Sequence, residues 1–391
     1  MALDHAADGD GRDNPFARLS EADLRRRTST KWRRFPPDVL PLWVAEMDVE
    51  LAEPVREALV RAVKEGDTGY PHGTGYAESY VEFATTRWGH KPSVADIRLV
   101  PDVMIGISEV LELVTAPGDS VIITPPVYPP FYSFVRHLGR RICPVPLGGE
   151  DRLDLPALEE AFARSRADGA GAAMLLCSPH NPTGTVHTER ELAMVAALAD
   201  RHGVRIVVDE IHAPLAMPGM SFRPFGSVPG GEAAITVVSA AKGWNLSGLK
   251  AGLAIAGPAA ATDLARMPEE VGHGASHLGV LAHSAALREG GDWLDAIRAG
   301  LEANRRLLAE LLATRLPQVG WRPGQATYLA WLDFRDAGLG DDPAAVLLDR
   351  ARVGLTPGPP FGPQGNGFAR LNLATNPVII TEAIDRIAGA L

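Results

Sequence analysis

The alternation of short apolar strands with helices between residues 97 and 239 is the strongest constraint on the fold of this chain. Five runs have the composition of buried strands, at 97–101, 120–124, 172–177, 204–210 and 235–239. Helical patterns separate them, and the one over 188–202 begins with a capping box in which Thr188 faces Glu191. Such strands pair in parallel through right-handed crossovers, so the sequence predicts an α/β fold with a mostly parallel central sheet flanked by helices.

The same patterns divide the chain into four parts. We predict a flexible N-terminal arm over 1–30, a segment over 31–50 that packs with the small domain, and a large domain over 51–290. From about residue 291, a long helix precedes two strands and two further helices. This part, 291–391, is therefore predicted to be a smaller α+β domain.

Charge and composition argue against several classes of partner. The formal net charge is −10, from 38 basic and 48 acidic residues, which argues against binding to nucleic acid or to an anionic membrane. No apolar run reaches about 18 residues and no secretory signal opens the chain, so we expect a cytoplasmic protein without a membrane span. Cys143 and Cys177 lie beside or within apolar strands, which favours buried thiols over a disulfide.

A lysine and an acid stand at the ends of two predicted strands. Lys242 follows the strand 235–239, and Asp209 lies at the end of the strand 204–210. Taken singly, such a lysine is usually solvated, and such an acid is usually a cap or a surface charge. Together they are two of the groups that pyridoxal 5′-phosphate (PLP) chemistry requires, because a lysine amine forms a Schiff base with the aldehyde and an acid partners the pyridinium nitrogen.

Four other residues could meet a phosphate at the same edge of the sheet. A helix that begins at Val103 offers the free backbone N–H groups of Val103 and Met104, together with the positive end of its dipole. Ser239 and Lys250 could add a hydroxyl and a cation. Any helix has an N-terminus, so this grouping is meaningful only together with the other strand-end residues.

Two more residues at strand ends suit a flat ring. Tyr128 lies in a proline-rich turn and can stack its aromatic face on such a ring. Asn181 follows the strand 172–177 and can donate an amide hydrogen to a ring hydroxyl. Tyr among prolines usually packs, and Asn-Pro usually forms a plain turn.

The order and spacing of these motifs resemble the class I/II aminotransferase superfamily, the fold-type I PLP enzymes. The resemblance extends over nearly the whole chain from about Lys31. It depends on Asn181-Pro-Thr-Gly184, Asp209-Glu-Ile-His212 and Ser239-Ala-Ala-Lys242, with Gly248 and Lys250 behind them. It implies the fold-type I transferase fold, with PLP as cofactor and an L-amino acid as substrate.

The resemblance also implies a role for each site residue. Lys242 would bind PLP covalently and later move the Cα proton of the substrate, while Asp209 would keep the ring nitrogen protonated. Arg370 matches the arginine that clamps the substrate carboxylate, for which a bidentate fork is suited. Tyr70 matches a tyrosine that reaches the phosphate of the neighbouring subunit, which implies a homodimer. Asn181, Tyr128, Ser239 and the Val103 and Met104 amides would hold the ring and its phosphate.

Within that superfamily, several segments look like the cystathionine β-lyase-like C–S lyase branch. They are 42–48, 126–131, 179–182 and 209–212. The first of them places Trp43 and Ala45 among the substrate-binding residues. In the last, His212 could hydrogen-bond the ring oxygen of the cofactor, whereas His180 could equally be turn packing.

The sequence thus predicts a PLP-dependent C–S β-lyase that acts on cystathionine or cysteine S-conjugates, with no metal. Departures from the lyase pattern at Gly243-Trp244, at Lys250 and after Arg370 leave an L-amino-acid aminotransferase as the alternative. A regulatory protein on the PLP fold is a third possibility, and the intact Lys242, Asp209 and Arg370 speak against it. Substrate selectivity is expected from four aromatic residues, Trp32, Trp43, Tyr70 and Trp244.

Overall fold

The computed structural model of this chain describes residues 14–391, apart from the side chain of residue 168. Its strands are β1 (Leu40–Pro41), β2 (Ile97–Val100), β3 (Ser120–Ile123), β4 (Arg141–Pro144), β5 (Ala172–Cys177), β6 (Arg205–Asp209), β7 (Ile235–Val238), β8 (Gly252–Ala256), β9 (Gly320–Trp321), β10 (Leu329–Asp333), β11 (Val353–Gly354), β12 (Thr356–Pro357) and β13 (Phe368–Asn372).

Its α-helices are α1 (Glu21–Leu24), α2 (Thr30–Arg33), α3 (Glu53–Glu65), α4 (Gly75–Trp88), α5 (Val103–Val114), α6 (Pro130–His137), α7 (Leu155–Ser165), α8 (Glu189–His202), α9 (Ala261–Leu264), α10 (Glu269–His273), α11 (His277–Glu289), α12 (Gly291–Arg315), α13 (Pro343–Arg350) and α14 (Pro377–Ala390). The capping box predicted for α8 is present, since the Thr188 hydroxyl accepts from Glu191 N–H and the Glu191 carboxylate accepts from Thr188 N–H.

The largest sheet within the described residues has seven strands, in the order β2-β8-β7-β6-β5-β3-β4. Its neighbours pair in parallel except at β8, which is antiparallel to both β2 and β7. The carboxyl ends of β3, β5, β6 and β7 therefore lie at one edge of the sheet. The α/β fold with a mostly parallel central sheet is confirmed, and this edge is where open α/β sheets bind ligands.

Both faces of this sheet are buried, as a parallel sheet with helices on each side requires. All six residues of β5 are buried, and they alternate between two hydrophobic cores. Ala173 and Leu175 pack with α5 on one face, while Met174 and Leu176 pack with α7 and α8 on the other. This double burial explains why the strand sequences are continuous apolar runs rather than alternating ones.

A second, antiparallel sheet lies in the C-terminal part of the chain, in the order β12-β13-β10-β9. Helices α12, α13 and α14 contribute to its hydrophobic core. The N-terminal segment reaches this core, because β1 pairs in parallel with β11 and both Leu40 and Leu42 are fully buried there. The domain boundaries at 51–290 and 291–391 stay predictions.

The flexible arm over 1–30 stays a prediction; residues 1–13 lie outside the described part, and within residues 14–30 two side chains are buried. Phe16 and Leu24 are fully buried, in two different cores. Gly300 in α12 makes room for the arm, since a Cβ there would lie 2.7 Å from Asn14 Oδ1 and 3.0 Å from the Phe16 ring. The sequence around Phe16 and Leu24 is short and polar, so it does not indicate that these two side chains are buried. Within residues 14–391, no helix is long and apolar enough to cross a membrane.

Candidate active site

A cleft of about 300 Å³ opens at the carboxyl edge of the central sheet. It receives the residues that follow β3, β5, β6 and β7, the N-terminus of α5, and the segment after β1. Most of the predicted site residues line it: Ala45, Val103, Met104, Tyr128, Asn181, Asp209, His212, Ser239, Lys242 and Lys250. The topology thus brings together side chains that are far apart in sequence.

Lys242 lies in the loop after β7, half-buried, with its amine directed into the interior. Nζ donates hydrogen bonds to the Ala45 carbonyl at 2.9 Å and to Ser247 Oγ at 3.1 Å. Burial, followed by the positive charge of Arg370, lowers the pKa of this amine to about 8. Roughly a tenth of the Lys242 amine is therefore neutral, and hence nucleophilic and basic, at about pH 7, far more than for an ordinary lysine.

Asp209 ends β6 and is 4 % exposed. Its Oδ1 accepts a hydrogen bond from Ile211 N–H at 3.0 Å. Burial raises the pKa of this carboxyl to about 6, although the Ile211 amide and the nearby Lys242 charge oppose the rise. A buried carboxylate with so few partners is suited to a cationic hydrogen-bond donor.

His212 follows Asp209 on the same turn and is also buried. Burial, followed by the positive charges of Lys242 and Arg370, lowers the pKa of its imidazole to about 3, so the ring is neutral. Its Nδ1 has no hydrogen-bond partner among the described residues. An unpaired buried nitrogen is costly, which makes it a candidate for contact with a bound group.

Arg370 lies in β13 and adjoins the cleft through its hydrogen bond to Asn181, one of the lining residues. Nη1 donates to Asn181 Oδ1 at 2.9 Å, and Nη2 donates to Thr356 Oγ1 at 3.3 Å. The guanidinium stacks over the Phe361 ring, 5.1 Å from its centroid, while Nε has no partner within residues 14–391. Burial lowers the pKa of this guanidinium to about 10, so it stays a cation that can receive an anion.

The end of the cleft at the start of α5 carries the groups predicted to hold a phosphate. Ser239 Oγ donates to the Ala251 carbonyl at 2.7 Å and accepts from Ala241 N–H. Lys250 pairs with the carboxylate of Asp102, the N-cap of α5, at 2.9 Å. This ion pair was not foreseen, and it places a negative charge beside the predicted phosphate site.

Three predicted residues lie outside the cleft lining. Trp43 is half-buried, and its carbonyl accepts a hydrogen bond from the Thr356 hydroxyl. Arg370 is connected to the lining through its hydrogen bond to Asn181. Tyr70 is 82 % exposed and lies near His273 on the surface, so nothing in a single chain joins it to the cleft.

Two tryptophans that were expected to set selectivity instead fill the core. Trp32 is buried and donates to Asp48, and Trp244 is fully buried and donates to the Gly290 carbonyl. His180 is also internal, held by Thr124 and Thr183, which is the turn-packing explanation. A side chain next to a motif points into the core as readily as into a site, which explains why Trp32 and Trp244 lie in the core.

Sequence reasoning missed two polar residues at the site. Ser247 touches the Lys242 amine, and the buried hydroxyl of Tyr328 donates to the Ala45 carbonyl at 3.0 Å. Ser247 lies five residues after Lys242, so its place in the sequence could have indicated a contact with the lysine. No sequence motif near Tyr328 indicates a role at the site. Among the described residues, no group of three His, Cys, Asp or Glu side chains could hold a metal ion.

Comparison with known proteins places this geometry in a family. The family model described as "Aminotransferase class I and II" matches residues 37–387. The chain belongs to the class I and II aminotransferase family. This membership confirms the predicted family and explains the arrangement of lysine, acid and arginine around one cleft.

Relatives within the family share almost the full length of this chain. A "Putative cystathionine beta-lyase" of Mycobacterium tuberculosis is 54% identical over 97% of this chain and 98% of its own. A cystathionine beta-lyase of Corynebacterium glutamicum is 35% identical over 96% of this chain and 100% of its own. The crystal structure of a "putative plp-dependent beta-cystathionase" from Corynebacterium diphtheriae superposes with a TM-score of 0.89, at 36% identity, over 95% of this chain and 98% of that one.

Proposed function

We propose that this chain is a PLP-dependent carbon–sulfur β-lyase, which cleaves cystathionine or cysteine S-conjugates to a thiol, pyruvate and ammonia. The observation that carries the proposal is that Lys242 and Asp209 line one cleft, beside which Arg370 hydrogen-bonds the lining residue Asn181. The names of the similar proteins support the lyase class. An aminotransferase of an L-amino acid is the alternative reaction for the same residues.

The residues of the cleft fit PLP in their chemistry. Asn181 accepts from Arg370 through Oδ1, so its amide hydrogens stay free for the ring hydroxyl. The unpaired Nδ1 of His212 is a second candidate for that oxygen. Asp209 would hold the ring nitrogen and Tyr128 would lie on the ring face.

At the phosphate end, the residues offer both donors and a cation. The Val103 and Met104 amides would receive phosphate oxygens at the N-terminus of α5, with Ser239 beside them. Lys250 would add its charge, shared with Asp102. Lys242 would bind the aldehyde carbon covalently.

When bound, PLP supplies an electron sink for the charge that develops at the substrate Cα. Once the substrate amine has replaced it, the free Lys242 amine would remove the Cα proton, for which an amine with a pKa near 8 is well matched to neutral pH. Arg370 holds the carboxylate so that this proton faces the amine. Loss of the proton and of the thiolate at Cβ completes the elimination, and the released enamine takes up water to give pyruvate and ammonia.

The assembly of the site in solution is part of the proposal. Tyr70 is exposed and does not line its own cleft, which is the arrangement expected if it completes the site of a second copy. We therefore propose a homodimer in which Tyr70 reaches the phosphate of the partner. A strictly monomeric PLP-loaded active species in gel filtration would contradict this.

The decisive experiment uses purified PLP-loaded protein with L-cystathionine and, separately, an S-alkyl-cysteine. Thiol, pyruvate and ammonia are measured without an added keto acid. Lys242→Ala removes the amine, and Lys64→Ala, an exposed lysine on α3, is the control. Equal release of the three products, lost only in Lys242→Ala, is the expected result.

Two other outcomes have clear meanings. Turnover that requires a keto acid and converts the cofactor to its amine form establishes the aminotransferase. No absorption band of a lysine–PLP adduct in the protein, after PLP is added and the excess removed, contradicts both enzymes and favours a regulatory protein.

A further inference from the structure

Residues 43–48, named here the bridging segment, contact both halves of the proposed site. On one side lies the loop that carries Lys242, and on the other lies β13, which carries Arg370. One asparagine from each side hydrogen-bonds the backbone of the segment: Asn245 from the loop and Asn372 from β13. The segment is therefore held between the lysine and the arginine.

Asn245 makes a two-point contact with a single residue of the segment. Its Oδ1 accepts from Met47 N–H at 2.7 Å, and its Nδ2 donates to the Met47 carbonyl at 2.9 Å. Asn245 has φ +59°, in the left-handed region that asparagine tolerates better than most residues. This conformation comes three residues after Lys242 and directs the amide to the segment.

Asn372 secures the other side. Its Nδ2 donates to the carbonyls of Val44 and Glu46, both at 2.7 Å, and its Oδ1 accepts from Ala374 N–H. Asn372 is fully buried, two residues after Arg370. The segment thus has fixed contacts on either side of Ala45.

Ala45, at the centre, supplies the carbonyl that the catalytic amine meets. Both Lys242 Nζ and the Tyr328 hydroxyl donate to it, at 2.9 and 3.0 Å. Arg370 touches the segment more weakly, with Nη2 3.4 Å from the Trp43 carbonyl, and is also held by other partners. Movement of the segment would therefore affect Lys242 more than Arg370.

We propose that Asn245 is a positioning residue that fixes the bridging segment to the lysine loop and so sets the place of the Lys242 amine. This inference rests on the proposed function, since the placed amine is the one that binds PLP and removes the Cα proton. Asn245 itself is not among the residues that line the cleft. Its effect passes through Met47 and the Ala45 carbonyl.

Asn245→Gly separates the contact from the backbone conformation. Glycine adopts a positive φ without strain, so the loop keeps its path while both hydrogen bonds to Met47 are lost. We expect kcat for thiol release to fall about tenfold to a hundredfold, because displacement of a catalytic group by about 1 Å can lower the rate by about that factor. KM is expected to change little, because Asn181 and Thr356 still hold Arg370.

The matched control is Asn376→Gly. Asn376 also donates one hydrogen bond to a backbone carbonyl, that of Leu19, and accepts one from a backbone amide, that of Val378. It is 9 % exposed and lies at the start of α14, away from the bridging segment. We expect its kcat to equal that of the wild type.

A second readout does not depend on activity. Cofactor-free protein is labelled with acetic anhydride at a pH where amines are neutral, and the Lys242 peptide is quantified by mass spectrometry against the exposed Lys64. Labelling of Lys242 is expected to be several-fold faster in Asn245→Gly than in the wild type or in Asn376→Gly. Should the glycine variant fail to fold, Asn245→Asp keeps the acceptor for the Met47 amide and is expected to show a smaller fall in kcat.

The possible results separate the two proposals. A wild-type protein that neither binds PLP nor releases thiol contradicts the proposed function itself. A wild-type lyase whose Asn245 variants keep both the kcat and the labelling rate of the wild type contradicts only the positioning role. An equal fall in kcat in Asn245→Gly and Asn376→Gly also overturns the positioning role, because the loss of any asparagine contact would then have the same effect.

Discussion

Replacement of Asp209 by asparagine is expected to stabilise the cofactor-free protein at neutral pH while it removes lyase activity. Burial raises the pKa of Asp209 from the ordinary 3.8 to about 6. An acid whose pKa rises on folding binds its proton more tightly in the folded state, so its ionisation at neutral pH destabilises the fold. Asparagine carries no charge and can still accept from Ile211 N–H.

The size of the effect follows from the two pKa values of Asp209. They differ by about two pH units, and at about 1.4 kcal/mol per unit the ionised carboxylate costs about 3 kcal/mol. An unfolding entropy of about 2.1 cal/mol/K per residue over 391 residues converts this into a rise of about 4 °C in the unfolding midpoint. The gain is full above about pH 6, declines as the pH falls, and vanishes below about pH 4, where both states are protonated.

Thermal unfolding of the cofactor-free wild type and Asp209→Asn, at about pH 4 and about pH 8, measures this difference. The exposed Asp336→Asn is the control and is expected to change neither midpoint. Thiol release by the PLP-loaded variants gives the activity. The reasoning is refuted if Asp209→Asn gains nothing at the higher pH, or gains equally at both.

Two further predictions concern the lysine and the arginine. The rate at which cofactor-free protein captures PLP, followed by stopped-flow absorption, is expected to rise with pH through about 8 and then level off, because only the neutral Lys242 amine reacts; a flat profile would contradict the lowered pKa. Arg370→Lys is expected to raise KM for the amino acid about tenfold to a hundredfold, because an ammonium cannot replace the guanidinium fork. Steady-state kinetics, with the exposed Arg335→Lys as control, measures it, and an unchanged KM would remove Arg370 from carboxylate binding.

Sequence reasoning reached the fold and the centre of the site for the same physical reason. Parallel strands are continuous apolar runs, and their carboxyl ends meet at one edge, so polar residues after such runs must approach one another. Lys242, Asp209 and Asn181 are all of this kind, and the structure gathers them in one cleft. The family, the fold and the enzyme class agree with the comparisons, and PLP is the cofactor named for the similar crystal structure.

What the sequence did not reveal depends on contacts between distant parts of the chain. The Asp102–Lys250 pair joins residues that are 148 positions apart, and Tyr328 meets Ala45 across 283 positions. No local pattern encodes such a contact. The burial of Phe16 and of Trp244 belongs to the same class, because neither residue differs in its sequence neighbourhood from an exposed aromatic one.

The reversed strand β8 has a consequence for the loop that carries Lys242. Because β7 and β8 are antiparallel neighbours, the loop between them begins and ends at adjacent positions of the sheet. A hydrogen bond from Ser239 Oγ to the Ala251 carbonyl joins the two ends of the loop. Substitutions within this closed loop alter the surroundings of Lys242 without a change in strand order. The same loop is fastened from outside as well, by Trp244 to the Gly290 carbonyl and by Asn245 to Met47, so its path depends on three separate parts of the chain.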